Sequence, residues 1–80
     1  MRVRKQKLGT RNIVGAKVEQ RRRTLGIKQK DLLTQLQIKG VDLNASALSK
    51  LEGQLRLVTD YELKALAEIL HIPVSDLLAD

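Results

Sequence analysis

The side chains in this sequence best equipped for chemistry are cations, and they crowd toward one end. Arg2, Arg4, Lys5, Lys7, Arg11, Lys17, Arg21, Arg22 and Arg23 stand among residues 1–24 against one acid, Glu19. From residue 25 onward six basic groups meet eight acids, so the net charge of +6 belongs to the N-terminal third. A one-sided positive field attracts polyanions, either nucleic acid or an anionic membrane surface. The plain alternative is a solubilising tail, but the cations run on into a helical pattern instead of stopping. A second set is small and polar. Ala45, Ser46, Ser49 and Lys50 fall opposite Leu48 and Leu51 at helical spacing, so they share an exposed face. Small groups on such a face permit close approach to bases and phosphates.

Other chemistries are excluded by residue type. There is no cysteine, which removes disulfides and thiolate metal sites. His71 is the one histidine, too few for a histidine zinc site, and it reads as a helix-end residue; no metal or cofactor is expected. The acids are scattered over helix starts and solvent faces, so no catalytic residue and no enzyme is predicted. Tyr61 is the only aromatic, which counts against base-stacking readers of single strands. No apolar run approaches the roughly 20 residues of a membrane span, and no secretion signal is evident. The basic arm also lacks the apolar face of an interfacial helix. These exclusions point to one cytoplasmic, aliphatic, helix-rich domain of 80 residues.

The elements that must position these groups are legible from periodicity. Residues 1–11 lack it, with Val3 and Leu8 isolated among charges, and read as a flexible basic arm preceding a domain at 12–80. Val14, Val18 and Leu25 predict a first helix over 13–24, with Asn12 as N-cap and Gly26 just past its end. Leu32, Leu33 and Leu36 mark a second helix that begins at Lys28 to Gln29 and stops before Gly40. Val41 and Leu43 are apolar anchors in the linker that follows. Asn44 caps a short third helix burying Leu48 and Leu51, with Gly53 at its end. Thr59 and Glu62 form a capping-box pattern ahead of Leu63, Leu66, Ile69 and Leu70. Pro73 opens a last helix over 73–79, where at least one of Leu77 and Leu78 belongs to the core. The expected fold class is all-α, a compact bundle of five short helices.

Two short helices joined by a turn, the second with a small polar face, have the form of a helix-turn-helix. The stretch from Val14 through Lys17, Arg22, Gly26 and Gln29 to Leu33 resembles the opening of a phage-repressor (Cro/XRE-type) DNA-binding domain. The run Leu43 to Glu52 is similar to that family's recognition helix, and Leu63 to Leu70 with Val74 to Leu78 resemble its last two helices. The likeness covers about residues 12–79. It implies a lambda-repressor-like fold and double-stranded DNA as partner. Gln29, with Lys28 before it, would reach a phosphate or base edge; Asn44, Ala45, Ser46, Ser49 and Lys50 would face the groove. Arg22 and Glu52 would pair inside the fold.

Two departures qualify the likeness. Leu48 follows Ile38 by ten positions, a longer turn than the family's usual one. Ala45 stands where a bidentate base reader is usual, so selectivity would fall to Ser46, Lys50, the turn or DNA shape. Arg2, Arg4, Lys5 and Lys7 would follow the backbone or enter a minor groove. Arg21 and Arg23 suit either DNA or the dipole of their own helix end. The expectation is a small transcriptional regulator, a repressor, at the nucleoid. A homodimer would set two recognition helices one DNA turn apart. The competing reading is a protein-interaction module, antitoxin-like or adaptor, presenting the acid-rich stretch from Asp60 to Asp80 to a protein partner.

Overall fold

The computed structural model describes residues 7–79. Five helices follow one another: α1 (Gly15–Thr24), α2 (Gln29–Ile38), α3 (Ala45–Glu52), α4 (Asp60–Ile69) and α5 (Val74–Leu78). No strand occurs among the described residues, and the fold is an all-α bundle. The first four helices make one layered cluster, with α3 packed on α1 and α2, α4 on α2, and α5 on α4. Their apolar stripes meet in a core of Val14, Val18, Leu32, Leu36, Leu43, Leu48, Leu51, Ala65, Leu66, Ala67, Leu70 and Leu77. Removing these aliphatic surfaces from water drives the assembly.

Local signals explain where each helix begins. The Asn44 side-chain oxygen accepts from the Ala47 amide at 2.8 Å, as an N-cap should. Thr59 and Glu62 close a full capping box, each side chain accepting from the other residue's backbone amide. Helix α1 begins two residues later than the spacing predicted, at Gly15 instead of 13. Asn12 bends the chain first: its Oδ1 accepts from the amides of Val14 (3.1 Å) and Gly15 (2.8 Å). The last helix is shorter than the expected 73–79, because Pro73 occupies its extended N-cap position. Leu77 is buried beneath it and Leu78 is exposed.

The ends of α1 to α4 share one geometry. In each, the second residue past the cap donates back to a carbonyl in the last turn: Ile27 to Arg22, Val41 to Leu36, Leu55 to Lys50 and Ile72 to Ala67. This is the Schellman arrangement, which needs a left-handed residue just before the donor. Gly26 and Gly40 supply it without strain, whereas Gln54 (φ 60) and His71 (φ 53) supply it with a side chain present. The long turn after α2 is then held by its own anchors. Leu43 is buried, Val41 is half-buried, and Gln37 Nε2 donates to the Leu43 carbonyl at 3.3 Å.

Candidate nucleic-acid interface

Helix α3 presents the face that its spacing implied. Asn44, Ala45, Ser46, Ser49 and Lys50 are all exposed, while Leu48, Leu51 and Glu52 on the other side are buried. The hydroxyls of Ser46 and Ser49 and the Lys50 ammonium have no partner among the described residues. Asn44 is only half available, since its oxygen caps the helix while its amide nitrogen has no partner among the described residues. The result is a shallow surface with hydrogen-bonding groups and one cation.

A buried ionic network fixes this helix to the start of α2. Arg22 Nε donates to Glu52 Oε2 at 2.7 Å and Nη2 to Oε1 at 3.1 Å, a two-pronged pair. Arg22 Nη1 donates to the Ile27 carbonyl at 2.9 Å, so the guanidinium also holds the α1–α2 turn. Gln29 Nε2 donates to Glu52 Oε1 at 2.8 Å. The pairing of Arg22 with Glu52 is therefore present, and Gln29 joins it. Gln29 is half-buried and its amide nitrogen is turned inward, where the resemblance had it reaching outward. Beside it Lys28 is exposed at the α2 N-cap, with Asp31 one turn further along as the nearest acid on that helix.

The basic N-terminal third divides into two groups. Lys17 Nζ donates to the Asp76 carbonyl (3.3 Å), and Arg21 donates to the carbonyls of Leu70 (3.0 Å) and His71 (3.4 Å) at the end of α4. Arg21 thus caps another helix, and neither sequence reading for it anticipated that. Arg22 is in the core network, and Arg23 pairs with Glu19 at 3.5 Å. These α1 cations are structural. Lys7 and Arg11 have no such partner among the described residues, nor, beyond the N-terminal third, do Lys28, Lys30, Lys50 and Lys64. Arg2, Arg4 and Lys5 lie outside the described residues.

Asn12, expected only as an N-cap, and Gln54, which the spacing did not single out, build the back of this surface. Asn12 Nδ2 donates to the Leu51 (3.2 Å) and Arg56 (2.8 Å) carbonyls, tying the start of α1 to the end of α3. Gln54 Oε1 accepts from the Ala16 amide at 3.1 Å. That contact requires Gly15, where a Cβ would collide with the Leu51 carbonyl oxygen. Glycine at the head of a helix was the one available signal. The segment before Asn12 is also tied down: the Gly9 amide donates to the Gly53 carbonyl (2.9 Å) and the Arg11 amide to that of Gln54 (3.0 Å). The expected free arm of 1–11 is therefore anchored from Gly9 onward, because the Gly9 and Arg11 amides donate to the carbonyls just past α3.

On the far side of α4 the acids are mostly engaged. Glu62 is buried and paired with Arg56 at 3.2 Å, and Glu68 pairs with Lys39 at 3.5 Å. An open cleft of about 350 Å³ lies there, lined by Lys39, Gly40, Val41, Tyr61, Lys64, Ala65 and Glu68. Among the described residues no cluster of acids and histidine is placed to hold a metal, and no helix is long and apolar enough to cross a membrane. No family model, curated protein or solved structure matches this chain.

Proposed function

We propose that this chain is a small transcriptional regulator that binds specific double-stranded DNA by placing α3 in the major groove. The observation carrying that reading is the α3 surface itself: a small, polar, singly charged face on a helix whose opposite side is locked by Leu48, Leu51 and the Arg22–Glu52–Gln29 network. A recognition helix must be rigid from behind and low in relief in front, so that base edges come within reach. Lys28, Lys30 and Lys50 would meet phosphates, which position the domain without reading sequence. Ser46, Ser49 and the Asn44 amide would read base edges. In this reading the chain acts by occlusion or positioning at a promoter, as a repressor in the former case, and sits at the nucleoid with its partner. A two-fold dimer would suit an inverted-repeat operator.

Selection from a random duplex library at near-physiological salt tests this. One enriched motif, with binding that weakens at about −0.9 in log–log slope per phosphate contact, is the expected result. No motif and a flat salt response would overturn it. The second reading, a protein-interaction module, is favoured by Tyr61, which is 81% exposed beside the α2–α4 cleft. Loss of a partner on Tyr61→Ala with unchanged DNA binding would be its signature.

A further inference from the structure

The stretch that carries Lys7 and Arg11 is joined to the end of α3 by a three-bond latch. The Gly9 amide donates to the Gly53 carbonyl and the Arg11 amide to the Gln54 carbonyl, and Gln54 Nε2 donates back to the Gly9 carbonyl at 3.2 Å. A Cβ at Gly9 would collide with the Gln54 carbonyl oxygen and crowd the Leu55 side chain, so the seam closes only around glycine. Gln54 holds a left-handed backbone, φ 60, which disfavours any residue with a side chain. That conformation aims its amide two ways, to Ala16 at the head of α1 and to Gly9 in the arm.

We propose that this latch makes Lys7 and Arg11 a fixed flank of the α3 surface, directed at the phosphate strand bordering the groove, with Gln54 as the positioning residue. The inference rests on the DNA-binding reading above. Helix α3 has eight residues. At 1.5 Å per residue that is about 12 Å, comparable with the width of the major groove. A helix of that length seated across the groove has its ends beside the backbone strands. Lys50 lies in the last turn of α3, and Lys28 adjoins Gln29, which bonds to Glu52 at the same end. Lys7 and Arg11 add two exposed cations there, each without a side-chain partner among the described residues. A free arm must lose conformational freedom on DNA, whereas a latched segment has already lost it.

The test is a salt titration of binding to a short mixed-sequence DNA duplex, run on the full chain, Arg11→Ala, Gly9→Ala and the double variant. In the native background Arg11→Ala should lower the magnitude of the log–log slope by about 0.9. On the Gly9→Ala background, with helicity and cooperative unfolding retained, the same change should lower it by less than half as much. Equal losses in both backgrounds, or no loss in either, would overturn the proposal. Amide hydrogen exchange of the native chain gives a check that needs no variant. The Gly9 and Arg11 amides should be protected before DNA is added, and unprotected amides there would also overturn it. A native chain whose duplex binding does not respond to salt removes the DNA-binding reading itself, an outcome distinct from equal slopes in a chain that binds.

Discussion

Glu52 is fully buried and carries a charge, yet it accepts from Arg22 Nε, Arg22 Nη2 and Gln29 Nε2. A buried ion of this kind is tolerable only while every partner stays in place. Glu52→Gln takes away the close, two-pronged counter-charge of the buried Arg22 guanidinium and leaves only Glu19, at 3.9 Å. Urea unfolding should show a loss of about 3–5 kcal/mol, most of the stability of a domain this small. Replacing both Arg22 and Glu52 with methionine should lose less than the single change, since no charge is stranded. The pair was foreseen through family resemblance, not through spacing, because thirty residues separate its members. Gln29 shows the limit of that route. Its position was foreseen, but its inward amide depends on where Glu52 sits in three dimensions.

At the level of elements, caps decide more than propensity. Asn44→Ala removes the α3 N-cap and should destabilise by about 1 kcal/mol in thermal or urea unfolding. Asn44→Asp keeps the cap, so stability should hold while a carboxylate on the α3 face weakens duplex binding, and filter-binding titration separates the two effects. The left-handed helix ends offer an opposite pair. The His71 side chain is exposed and makes no hydrogen bond among the described residues, so His71→Gly should relieve strain and raise stability by up to about 1 kcal/mol. Gln54→Gly relieves the same strain but loses the bonds to Ala16 and Gly9, and calorimetry should show a lower melting temperature. Thr59, Asn44, Gly26 and Gly40 were readable as caps because their residue types carry the signal. Gln54 and His71 were not, since nothing about either type announces a positive φ.

The whole molecule stands on one aliphatic core, with Leu32, Leu36, Leu51, Leu66, Leu70 and Leu77 at zero exposure. Leu36 lies on α2 between the helices that pack on either side of it. Leu36→Ala should cost about 2–5 kcal/mol, read as a lower urea midpoint by circular dichroism. Charge is distributed by packing at this scale as well. Lys17, Arg21, Arg22 and Arg23 are used against carbonyls and acids, and the cations left outward are Lys7 and Arg11 in the anchored arm, Lys28 and Lys30 at the start of α2, Lys50 in the last turn of α3 and Lys64 on α4.

The sequence by itself determined the number and order of the helices, their apolar faces, a capping signal at one end of each of the four longer helices and the polar face of α3. Those follow from periodicity and from residue types with strong local conformational preferences, which act within a few positions along the chain. Only the tertiary structure decided which cations are free, where Gln29 points, and that the arm is fastened to α3 through Gly9 and Gln54. Each of those rests on a contact between residues far apart in the chain, whose geometry exists only once the core has closed.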